Sequence, residues 1–249
     1  MHPLASLDVS SPLRTTALRD AGSRVDVPVA LFTYAGAFLS GSLLTVITLG
    51  IGGYEETSDV PIWVLFIAQC LAWSVFVVAL VLASERGGSG NFVNDYQVRA
   101  TAVDILGLPI GALTQLVVVP LLYKPLVTIW EDTFTDDKLS ENAKDLVDRA
   151  NGGSMVLLVI MVCVGAPIIE ELVYRGLLQG SFSARFNHVP ALLAASAIFA
   201  LIHFRPVEYP GLFVIGLVCG YCALSTGRLG MAMACHVGFN VTGLLLALD

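Results

Sequence analysis

Apolar stretches long enough to cross a bilayer alternate with short polar breaks along most of the chain. A spanning helix needs about 20 mostly apolar residues. The pattern predicts spans over 28–51, 60–83 and 105–130. The third is long and carries Pro109, Pro120 and Pro125, which permits a tilt or a break into two. A polar, acidic stretch follows over 131–151, with Asp136, Asp137, Glu141, Asp145 and Asp148, and its periodicity predicts a short surface helix over 141–149. Four more spans are predicted over 154–179, 190–204, 210–226 and 229–248. The fold class is therefore all-α: a polytopic transmembrane helical bundle of seven spans, or eight if the third divides. Residues 1–27 are polar, with Arg14, Arg19 and Arg24, and read as a disordered cytoplasmic tail ahead of one transmembrane domain over 28–249.

Composition supports lipid as the solvent. Hydrophobic residues make up 56% of the chain and charged ones 13%, against about 25% charged in a soluble domain. A net charge of −7 argues against nucleic acid as a partner, which wants a basic face. All five cysteines (Cys70, Cys163, Cys219, Cys222 and Cys235) lie inside apolar runs and read as small buried hydrophobes. Cys219 and Cys222 are spaced C-x-x-C, which inside a span is weak evidence of redox chemistry. Cytoplasmic loops favour Lys and Arg. Arg14, Arg19, Arg24, Arg86, Arg99, Arg185 and Arg228 fall on one side, and Lys138, Lys144, Arg149 and Arg205 on the other. That predicts a cytoplasmic N-terminus, in the plasma membrane. No internal repeat is visible, which disfavours an inverted-repeat transporter.

An ionisable group at the centre of a span costs about 2.5–3.5 kcal/mol even on lenient scales, so each one is a functional candidate. The first three predicted spans carry almost none. The fourth contains Glu170, Glu171 and Arg175 within six residues; the fifth ends in His203; the seventh carries His236 and Asn240. Glu171 and Arg175 are four apart, acid first, the favourable order for a pair on one helical face. Glu170 lies about 100° around the helix from Glu171 and is free to face a cavity. His236 and Asn240 are also one turn apart.

The strings E-E-x-x-x-R (Glu170, Glu171, Arg175), F-x-x-x-H (Phe199, His203) and H-x-x-x-N (His236, Asn240) stand in this order on three separate spans. Together they resemble the CPBP family of intramembrane proteases, which includes the type II CAAX prenyl endopeptidases and is also called Abi or lysostaphin-resistance-A-like. The resemblance covers a protease-like core over about 154–248; D-L-V-D-R-A at 145–150 and T-G-R-L-G at 226–230 also look like bacterial members. It implies hydrolysis of a peptide bond in a membrane-associated protein or peptide. Glu170, helped by His203, would activate water; His236 and Asn240 would donate to the oxyanion; Glu171 with Arg175 would hold the helix and the local field. The residues alone also admit a second chemistry. Glu170, His203 and His236 are one carboxylate and two imidazoles, a ligand set suited to zinc with an open position, although no H-E-x-x-H is present. Two other functions compete: a non-proteolytic immunity or scaffold member of the same family, and a small proton-coupled transporter.

Overall fold

The structure, a computed structural model, describes residues 25–55 and 57–248. The expected N-terminal tail, with Arg14, Arg19 and Arg24, lies outside the described residues up to position 24. Among the described residues all regular structure is helical. Six helices are long and apolar enough to span: α1 (Val27–Ile51), α2 (Ile62–Gly87), α3 (Ala102–Ile129), α5 (Gly153–Arg185), α7 (Tyr209–Thr226) and α8 (Gly230–Ala247). Between α3 and α5 lies the polar helix α4 (Asp136–Arg149), and between α5 and α7 the shorter apolar helix α6 (His188–Leu201). The chain is thus a polytopic bundle whose apolar helices, α6 included, follow the seven predicted spans in order. The third does not divide. Pro109 sits in its early turns, and a wide turn over Thr114–Val118 absorbs the hydrogen bond that Pro120 cannot donate.

Local chemistry sets the helix ends. Pro28 occupies the first turn of α1, where a missing N–H costs nothing. The Thr135 side chain caps α4 by accepting from the Lys138 N–H at 3.2 Å. Helix α4 begins five residues before its predicted start, because that cap extends it. Gly227, at φ +66°, takes the left-handed conformation that ends α7 and starts the turn into α8.

Two polar ties hold the connections at opposite faces. On the N-terminal side, Arg228 grips the buried Asp104 carboxylate through Nε and Nη2, the latter at 2.7 Å, and reaches Thr101 Oγ1 at 2.9 Å. Backbone bonds from Leu229 N to Gln97 O and from Gly230 N to Arg99 O dock the same turn. Nearby, burial and the Asp95 charge push the Tyr96 phenol up, which keeps it a donor to Leu80 O at 2.7 Å. On the other side, Arg149 of α4 donates to the carbonyls of Ser58 and Val60, and Arg205 pairs with Glu208 at 2.6 Å and, more loosely, with Glu141. Helix α4 therefore covers the face opposite the N-terminus.

Helix α8 is placed by contact too close for side chains. A Cβ on Gly111 of α3 would lie 1.8 Å from Cys235 O, and one on Gly107 would lie 2.4 Å from Met231 O. In return, a Cβ on Gly238 would lie 2.1 Å from Leu108 O. Small residues spaced four apart let membrane helices approach this closely, and dispersion then drives their association. The consequence is functional, because Gly238 lies between His236 and Asn240.

Candidate active site

The polar groups meet around the middle of α5, the most enclosed of the spanning helices. Glu171 is fully buried, at 0% exposure, and its Oε1 forms an ion pair with Arg175 Nη1 at 3.1 Å, one turn along. The same oxygen lies 2.8 Å from His236 Nδ1 on α8. Arg175 also donates to Gly216 O on α7 at 3.1 Å, and its guanidinium stands 4.8 Å from the centre of the Phe199 ring. One carboxylate thus joins α5 to α8, and one arginine joins α5 to α7. The helix widens over Leu172–Gln179, directly after the two glutamates. Such π-type turns recur at functional sites because they re-aim side chains.

Glu170 points elsewhere. Its side chain is 28% exposed, and its Oε2 stands 3.7 Å from His236 Nε2. That separation is too long for a hydrogen bond and invites a bridging water or a substrate oxygen. The imidazole of His236 is therefore flanked by both glutamates, with Nδ1 toward the buried one and Nε2 toward the half-exposed one.

His203 ends the turn after α6, where Phe204 adopts φ +53°, an uncommon conformation for a bulky residue. Its Nδ1 lies 2.8 Å from Phe199 O, which leaves Nε2 available. The Phe199 ring meets both histidines edge to face, His203 at 5.0 Å and His236 at 5.7 Å. Asn240, one turn beyond His236, donates Nδ2 to Val162 O at 2.8 Å. It lines a cavity of about 300 Å³ beneath α4, together with Gln115, Tyr123, Glu208 and Phe239. Direct contacts thus unite Glu170, Glu171, Arg175 and His236; His203 is linked to them through Phe199, and Asn240 through α8.

Residues 152–242 match the family model described as type II CAAX prenyl endopeptidase Rce1-like. This segment is Rce1-like. The matched stretch, just over a third of the chain, holds every candidate residue from Glu170 to Asn240. Over that stretch the chain is similar to CAAX-type intramembrane proteases, and its long apolar helices are those of an integral membrane protein. No curated protein and no solved structure matches the chain.

Several further groups in or beside the Rce1-like segment border the site. Gln179 extends the i, i+4 series from Glu171 and Arg175, is buried, and donates to Gly220 O at 3.0 Å. Its spacing from Arg175 was available as a signal. The phenols of Tyr34 on α1 and Tyr174 on α5 stand 3.4 Å apart, which brings α1 to the rim of the site. Cys219 lies beside Glu171 and His236. Of the five cysteines, Cys70 is exposed on its span, whereas the other four are buried.

The zinc set inferred from residue types does not assemble. Among the described residues, the trio able to place one donor atom each within 4.8 Å of the others is Glu171, Cys219 and His236, not Glu170, His203 and His236. His203 directs Nδ1 to a backbone carbonyl, and Glu170 stays 3.7 Å from His236. No catalytic step is therefore routed through a metal at those three residues.

Proposed function

We propose that this protein is an intramembrane endopeptidase that hydrolyses a peptide bond of a membrane-associated protein or peptide. The observation that carries the reading is the clamping of His236 between two glutamates of unlike exposure, 0% and 28%. Glu170, the half-exposed one, takes a proton from water in the gap, with His203 Nε2 as the second polar group beside it. The water oxygen attacks the scissile carbonyl. Glu171 holds the Nδ1 proton of His236, so the ring's other edge faces the gap. When Nε2 also carries a proton, it donates to the developing oxyanion, and the Asn240 amide adds a second donor. Preorganised donors of this kind are worth about 10²–10³ in rate each. The proton held by Glu170 then passes to the leaving amine. Arg175 neutralises Glu171 and keeps the buried carboxylate from folding away.

The cavity beneath α4 supports entry of an extended peptide beside Asn240 from the face opposite the N-terminus. With a cytoplasmic N-terminus, as the basic loops suggest, that face is extracytoplasmic. Residence in the plasma membrane is part of this proposal. Six polar groups crowded into lipid-depth helices suit an enzyme better than a scaffold, which has no need to maintain them. The test is cleavage of a membrane peptide by purified protein in vesicles. Glu170→Gln is expected to abolish cleavage without loss of expression, and an active Glu170→Gln protein would overturn the proposal.

A further inference from the structure

Behind the Glu170 gap lies a second constellation that the proposed hydrolysis does not use. Cys219 of α7 is fully buried and faces Glu171 and His236, with one donor atom from each of the three within 4.8 Å of the others. Glu171 spends Oε1 on Arg175 and His236, while Oε2 is buried without a hydrogen-bond partner. An orphan carboxylate oxygen in a dry interior is costly. The Cys235 thiol of α8 lies within hydrogen-bonding reach of both Cys219 and Cys222. Helices α5, α7 and α8 thus direct a carboxylate, an imidazole and sulfur toward one buried point.

We propose that Glu171, Cys219 and His236 form a binding site for a thiophilic divalent cation of the zinc class, with Cys235 as an outlying fourth donor. Mixed sulfur, nitrogen and oxygen donors suit a borderline-soft ion and exclude magnesium or calcium. Charge favours it as well. A dication with the Glu171 carboxylate and the Cys219 and Cys235 thiolates carries one net negative charge, and Arg175 cancels it. Binding releases the two thiol protons and moves the His236 ring proton from Nδ1 to Nε2. There it faces Glu170 across 3.7 Å, and on binding the carboxylate closes that distance to accept the proton, as an outer carboxylate does from a ligating imidazole. Oε2 supplies the carboxylate ligand, so Oε1 keeps Arg175.

Occupancy commits the Nε2 proton of His236 to Glu170, which then no longer takes a proton from water, so the cation inhibits cleavage. This consequence rests on the proteolytic reading; the binding itself does not. The experiment loads purified wild-type protein with one equivalent of Zn²⁺ and reads the metal's coordination by X-ray absorption. Co²⁺ loading reports thiolate ligation by its charge-transfer band. A saturable site with sulfur at about 2.3 Å and nitrogen or oxygen at about 2.0–2.2 Å is expected. Cys219→Ser is expected to cut the sulfur signal to at most the share of Cys235 and weaken binding more than the roughly 10- to 100-fold of a lost outer partner. No saturable binding, or a shell of nitrogen and oxygen alone, overturns the site whether or not the variant folds. Peptide cleavage is expected to fall with Zn²⁺ and recover on chelation. Sulfur-ligated zinc that leaves cleavage unchanged overturns the inhibition while the site stands, and a protein with no cleavage at all leaves the binding result intact.

Discussion

Glu170 and Glu171 are adjacent, identical in type and at the same depth of one helix, yet they belong to different regions of the molecule. Glu171 faces the seam between α5, α7 and α8, where Arg175, His236 and Cys219 surround it and no water reaches it. Glu170 faces the open side of His236 and keeps 28% of its side chain exposed. On the proposed mechanism, a step of about 100° around the helix separates a structural ion pair from the reactive carboxylate. A buried charge need not be the working one. The seam holds His236 in place, and the proposed mechanism puts the chemistry in the gap.

The largest effect on the seam should follow loss of Arg175. Arg175→Ala strands the Glu171 carboxylate in an apolar interior, at about 3–5 kcal/mol. A thermal melt in detergent is expected to show a large drop in midpoint, with cleavage per folded molecule retained in good part. Full stability with no activity would move Arg175 from the seam into the chemistry.

On the gap side, Asn240→Ala should lower the cleavage rate by about 10²–10³, the range for a lost oxyanion donor. Its melting midpoint should fall only slightly, because the one bond lost in the structure is to Val162 O. A rate within about threefold of wild type would leave Asn240 as glue between α5 and α8.

The apolar spans and the ordered polar strings were legible because both are local in sequence. Pro167 to Arg175 carries Glu170, Glu171 and Arg175 within six residues, whereas the first three spans carry almost no ionisable groups. The i, i+4 tie between Glu171 and Arg175 follows from spacing alone, and the structure contains it. What stayed illegible depends on residues far apart in the chain. Gly107 and Gly111 place α8 only because Met231 and Cys235 pack against them, and no periodicity within α3 reports that. Which glutamate meets His236 through Nδ1 depends on how α5 and α8 are rotated against each other. The nearness of Cys219 to Glu171 depends on α7 in the same way. Composition could label the cysteines as apolar filler but could not say which lines a polar seam.

A smaller effect would sharpen the extent of the seam. Gln179→Leu removes the donor to Gly220 O, and a net hydrogen bond is worth about 0.5–1.5 kcal/mol. The melting midpoint should drop modestly while cleavage kinetics stay unchanged. A kinetic defect without a stability defect would extend the reactive region one turn further along α5 than the account places it.

The central claim is the division of labour between the two adjacent glutamates, and the paired isosteric variants test it most directly. Glu170→Gln and Glu171→Gln are purified in parallel, and peptide cleavage is measured per folded molecule alongside the melting midpoint. The account predicts that Glu170→Gln melts like wild type and loses about 10²–10⁴ in rate, the usual contribution of a general base. It predicts that Glu171→Gln melts earlier, yet its folded fraction retains measurably more activity than Glu170→Gln. The reverse pattern, a stable but inactive Glu171→Gln beside an active Glu170→Gln, would contradict it.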